Sequence, residues 1–205
     1  MYELLGLRCL FKKHDNVPFM EYTEVLHGFA YVASYDNIVK LKTPLEDGVY
    51  PLSDKIKRED TPKAKQYNFY CKIKEKYDQQ AGMSISLPVN TLVFALKKIK
   101  PLTKDEVLFY SVNGICRLAY RDNTVKVEFI LGACQETFYR FVSITLLDKL
   151  TKLLSQEIVN DDKLQIILYS DIPPVILFLW NENCFYAIGK KDSIIYFSQK
   201  NDVLL

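Results

Sequence analysis

Histidine is almost missing from this sequence: His14 and His27 are the only two, and neither stands at ligand spacing from another His or Cys. That excludes the usual zinc patterns. There is no Gly-rich phosphate loop, no GxSxG elbow and no His-Cys neighbourhood, so the common nucleotide-binding and nucleophilic signatures are missing too. The acidic pair Asp161-Asp162 reads as a helix-ending loop and not as a magnesium site. No enzyme activity, no metal and no cofactor are expected. The five cysteines (Cys9, Cys71, Cys116, Cys134, Cys184) are odd in number, scattered and free of a CxxC pair, which argues against a disulfide framework. No apolar run reaches the ~18–20 residues of a membrane-spanning helix, and Glu3 and Arg8 interrupt the stretch where a signal peptide needs an apolar core. A soluble, intracellular protein without a membrane partner is expected. The net charge of +2 does not by itself point to nucleic acid.

What is present is ordinary globular material: 205 residues, 49% apolar and 25% charged, enough for one or two domains. From residue 84 a pattern runs once and then again. A strand, "SISLPV" (84–89), precedes a helix, "NTLVFALKKIK", with Asn90 placed to cap it and Leu92, Ala95, Leu96 and Ile99 on one face. Pro101 stops that helix. Strand-like runs follow at 106–112, 115–121 and 124–131, the first two joined by Asn113-Gly114, whose residues tolerate the positive φ of a tight hairpin turn. The second pass has a strand at 136–144, a Leu-rich helix at 145–156, and strands near 163–169, 175–180 and 184–189. Two β-α-β-β-β units in succession are expected, with helices on one face of antiparallel sheets, an α+β arrangement. The repeat also accounts for Pro173-Pro174 inside the apolar run "LQIILYSDIPPVILFL". Prolines cannot serve a central strand, but residues 170–174 fall where Asn113-Gly114 falls in the first unit, at a turn.

The rest is less regular. Segments 2–12, 27–35 and 37–43 read as strands, and 13–24 as a poor helix broken by Pro18. Residues 53–80 carry eight Lys/Arg against five Asp/Glu and read as an exposed connector, with "QYNFYCKI" as an added edge strand. The expected organisation is a short β-rich N-terminal part (1–52), a basic connector (53–82), a two-unit domain (83–198) and a tail (199–205).

The doubled unit, the segment from "LLDKLTKLLSQ" through "YSDIPPVILFLWNENCFYAIGKK", and "LEDGVYPL" (45–52) together resemble the DNA sliding clamps. The resemblance implies domains of two such units, a non-enzymatic processivity role in DNA replication, and helices lining a hole around duplex DNA. Lys97, Lys98, Lys100 and Lys104, with no acidic residue between 91 and 104, together with Lys149 and Lys152, would then face phosphates without reading bases. Lysines are equally ordinary on the solvated side of an amphipathic helix, and both readings stand. The resemblance also implies a pocket for a polymerase or other clamp-binding peptide at Ile172, Pro173, Tyr186, Ile188 and Gly189, and a homo-oligomer. Gly189 stands where the family has proline. Two alternatives remain: a clamp-fold interaction subunit or transcription cofactor that does not encircle DNA, and an unrelated α+β protein.

Overall fold

The computed structural model describes residues 3–10, 22–34, 37–52, 66–156, 163–170 and 175–188. In chain order these form α1 (Leu4–Leu7) running into a 3-10 turn (Arg8–Leu10), β1 (Tyr22–Leu26), β2 (Phe29–Ala33), β3 (Asn37–Lys42), β4 (Gly48–Pro51), α2 (Gln66–Asp78), β5 (Met83–Pro88), α3 (Val89–Ile99), β6 (Glu106–Val112), β7 (Ile115–Arg121), β8 (Lys126–Ala133), β9 (Phe138–Ser143), α4 (Ile144–Leu154), β10 (Lys163–Tyr169), β11 (Val175–Trp180) and β12 (Asn183–Ile188). The two β-α-β-β-β units are therefore present, in an α+β fold with two antiparallel sheets. No helix among the described residues is long and apolar enough to cross a membrane.

The units exchange their first strands. β9, which opens the second unit, pairs with β6 of the first, and β5, which opens the first, pairs with β10 of the second. One sheet thus runs β8-β7-β6-β9, and the other ends β12-β11-β10-β5. The exchange ties the units into one body with a shared core, to which α3 gives Leu92, Ala95, Leu96 and Ile99 and α4 gives Leu146, Leu147, Leu150, Leu153 and Leu154. Helical spacing dictates both faces. At Asn113-Gly114 the turn has φ values of 54° and 78°, the left-handed pair that a two-residue hairpin requires. Asn90 does not cap α3: the helix begins at Val89, with Pro88 in the capping position, so Asn90 lies in the first turn. Proline's fixed φ is compatible with a helix entry, and no side-chain cap is made there.

The N-terminal part repeats the same strand logic. Its order β4-β1-β2-β3 matches β9-β6-β7-β8: three successive strands, with the first flanked by a strand from further along the chain. β3 pairs antiparallel with β12, through Val39↔Phe185 and Ile38↔Tyr186, and this merges the N-terminal strands with the second unit into an eight-stranded sheet. The described part of segment 2–12 is not a strand. Leu4, Leu7 and Leu10 recur every three residues along α1 and the 3-10 turn, Leu7 and Leu10 are buried, and the turn packs on α4. A strand would have sent alternate leucines to opposite faces.

α2 corrects the reading of "QYNFYCKI" as an added edge strand, since Gln66–Asp78 is a helix; residues 53–65 of the expected connector lie outside the described residues. α2 lies across the face of the eight-stranded sheet opposite α3 and α4, and its Tyr70 and Tyr77 join Tyr31, Tyr169, Val175, Leu177 and Tyr186 in a second apolar cluster. Tyr31 and Tyr70 rings stand 5.2 Å apart, Tyr77 and Tyr169 rings 4.6 Å apart. Such a helix is polar on its solvent side and needs only a few rings to hold it. The sheet is consequently buried on both faces, which explains why β11 and β12 are apolar without alternation.

These tyrosines make α2 docking sensitive to alkali. Burial, then neighbouring Tyr67, pushes the Tyr31 hydroxyl up to about 12, and burial followed by Cys184 raises Tyr70 and Tyr186. A folded-state value above the ordinary ~10 means that the stability contributed is complete below pH ~10 and is lost as pH climbs through the folded values. The expected result is late tyrosinate absorbance, rising together with a loss of helical circular dichroism as pH goes from about 10 to about 12. Complete ionisation of all fourteen tyrosines at the free-tyrosine pH, with no late step, would show that these rings are not buried under α2.

Candidate functional site

α3 and α4 lie side by side, and a groove of about 450 Å³ runs between them. Leu96, Pro101 and Ile144 line it, with Lys97, Lys100, Lys152 and Asp148 among its polar residues. Packing of each helix's leucine face on the core forces the lysines out, and the adjacency of the helices brings those of α3 and α4 together. Lys100 Nζ donates to Asp148 Oδ1 at 2.5 Å, and Lys152 Nζ lies 3.1 Å from Oδ2. Partial burial acts to raise the Asp148 carboxyl, but hydrogen bonds from Lys100 and Lys152 outweigh it and hold the group below the usual carboxylate range. Asp148 therefore stays ionised at neutral pH and takes part of the positive charge out of the strip. Lys97, Lys98 and Lys104 are exposed; Lys98 Nζ stands 5.7 Å from the Phe94 ring centre. Lys104 follows the helix in the loop after Pro101.

Lys149 departs from expectation. It is 4% exposed, so it cannot reach a phosphate. α4 packs against α3 and against the N-terminal 3-10 turn, which leaves one narrow strip free, bearing Thr145, Lys152, Ser155 and Gln156. A helical-wheel reading places position 149 on a flank, and only the neighbours decide whether a flank is wet.

Of the five residues expected to form a peptide pocket, two, Tyr186 and Ile188, are among the described residues. Tyr186 is 3% exposed beneath α2, with ring centroids 6.4 Å from Tyr70 and 6.1 Å from Tyr77, so it is no open contact point. Ile188 is partly exposed at the end of β12. Ile172, Pro173 and Gly189 lie outside the described residues; β10 ends at Tyr169 and β11 begins at Val175. Sequence reasoning missed the α2 cover. The signal was available: "VILFLW" and "CFYAI" are unbroken apolar runs, which a sheet with one wet face does not need. Among the described residues no three His, Cys, Asp or Glu side chains gather so as to hold a metal ion.

No family model and no curated protein matches the chain's sequence. Solved structures do match its shape. The beta subunit of DNA polymerase III from Thermotoga maritima aligns over 90% of this chain and 60% of its own, with a TM-score of 0.61 and 11% identity. The Helicobacter pylori beta clamp bound to a DNA ligase peptide aligns over 90% and 61%, with a TM-score of 0.61 and 10% identity. The DnaN sliding clamp of Bartonella birtlesii bound to griselimycin aligns over the same shares, 90% and 61%, with a TM-score of 0.58 and 14% identity. The chain thus spans about 60% of the length of the clamps it matches, and over that span it has the fold seen in DNA sliding clamps.

Proposed function

We propose that the chain is a sliding-clamp-like accessory protein of DNA replication, which holds a DNA-processing partner on duplex DNA and carries out no catalysis itself. The observation that supports this is the placement of α3 and α4 side by side with Lys97, Lys98, Lys100, Lys104 and Lys152 outward, on a fold shared with clamps. Ammonium groups at the tips of mobile stems neutralise phosphates without reading bases, so a protein held this way can slide. A polymerase or another protein would be tethered through a short peptide, as the ligase peptide is bound to the Helicobacter pylori clamp. On this chain a peptide arriving beside Ile188 would meet α2 and not an open floor.

A second reading, a clamp-fold interaction subunit that does not encircle DNA, is favoured by one observation: Asp148 engages both Lys100 and Lys152, and Lys149 is buried, so the strip is weaker than its lysine count suggests. Titration with duplexes of unrelated sequence separates the two. The proposed function expects equal affinities that fall with salt, at a logarithmic slope near −0.9 per phosphate neutralised. No binding at low salt, or a marked preference for one sequence, would sink it.

A further inference from the structure

The solvent-facing arc of α3 is basic except at its centre. Lys97 and Lys98 are exposed, and the chain has no acidic residue from 91 to 104. In the described contacts Asp148 engages Lys100 and Lys152 but neither of these two. With about 100° of rotation per residue, position 94 falls between them on the helix surface, roughly 60° from Lys97 and roughly 40° from Lys98. There stands Phe94, 56% exposed, where an amphipathic helix ordinarily places a polar residue.

A single exposed apolar side chain is ordinary, but this one is held in position. Its ring meets that of Phe129 at 6.0 Å and an interplanar angle of 83°, and Lys98 Nζ lies over it at 5.7 Å. The last distance is close to the ~6 Å limit of a cation–π contact, so the ammonium holds the ring weakly. The exposed Ile130 of β8 does not widen the patch, because consecutive strand residues point to opposite faces and Phe129 is the one turned to α3. Phe94 is the one large apolar side chain of α3 that is exposed. What results is an apolar surface one ring wide in a basic setting, which suits a nucleobase better than a protein segment. A nucleotide brings a π face and a phosphate in one unit, and ring plus lysine is the pair that receives them. Bases inside a duplex are stacked on each other and show only their edges, so there the ring has no face to meet. An unpaired base next to the duplex offers one.

We propose that Phe94 is a stacking platform for an unpaired base, with Lys97 and Lys98 on the flanking phosphates, so that the chain slides on duplex and is retained where duplex gives way to a single strand. This rests on the DNA-binding reading and adds to it a residue and a preference among substrates. The base takes the ring, and Lys98, released from its weak contact there, turns to phosphate. Selection is by strandedness and not by sequence, since every base has a π face.

Fluorescence anisotropy of the full chain with a labelled blunt duplex, and with the same duplex carrying a single-stranded extension, compares the two substrates. The extension is expected to raise affinity on the order of tenfold, the scale of one stacked base. Phe94→Ala should lose that gain and keep the wild-type affinity for the blunt duplex. Phe94→Leu, which retains an apolar side chain without a π face, should lose it too, and Phe94→Trp should retain it. With 2-aminopurine placed at each position of the extension in turn, emission from at least one position should change on binding wild type and not on binding Phe94→Ala. No gain from the extension, a gain that survives in Phe94→Ala or Phe94→Leu, or an equal loss on both DNAs would each overturn the proposal and leave the duplex reading standing. A change of sedimented mass in Phe94→Ala would assign the ring to a protein contact and overturn it as well. Absence of binding to either DNA at low salt would remove the duplex reading and the proposal with it.

Discussion

Reversing Lys97, Lys98 and Lys104 to glutamate together is expected to lower affinity for duplex DNA on the order of a hundredfold or more at moderate salt, and to make the salt dependence shallower by about three logarithmic units of slope. The reason is specific to these three. They are exposed, and the acidic partner that holds Lys100 and Lys152 does not reach them in the described contacts. Asp148→Asn should act in the opposite direction, because it frees Lys100 and Lys152 to meet phosphate, and affinity should rise. Fluorescence anisotropy of a labelled duplex across a salt series measures both. Equal affinity in all three proteins would remove the helix strip from any account of DNA binding, whereas a change confined to one DNA sequence would indicate base readout and contradict the sliding mechanism.

Phe185→Ala should cost about 3–5 kcal/mol, the scale of an aromatic deletion in a close-packed core. Phe185 is 0% exposed, its ring centroid lies 6.2 Å from that of Phe178, and it stands opposite Val39 at the β3·β12 junction. The same residue thus fills the core and fastens the N-terminal strands to the second unit. Stabilities of domains this size are only about 5–15 kcal/mol, so much of the total would go. Urea unfolding of the variant beside Phe69→Ala, an exposed α2 position expected to change stability by no more than about 0.5 kcal/mol, checks it. A loss below about 1 kcal/mol would mean that the junction is not held by this ring.

What the sequence by itself determined was everything that rests on neighbours along the chain. The leucine spacings of α3 and α4 and the positive-φ pair Asn113-Gly114 specify two amphipathic helices and a hairpin from within a few residues. The order of elements in 84–188, and with it the doubled unit, followed from the same local signals. Tertiary structure alone decided the rest, because each remaining question concerned what covers a surface. Segment 4–10 is apolar enough for strand or helix, and docking beside α4 selects the helical turns. α2 is too polar to announce itself, and its tyrosines acquire meaning only over a sheet already apolar on its outer face. Position 149 lies on a helix flank in any reading, and long-range packing buries it. The basic strip likewise depends on a distance no spacing rule supplies: Lys100 and Asp148 are 48 residues apart in sequence and 2.5 Å apart in space, so the charge left for a phosphate is set by how two helices lie together.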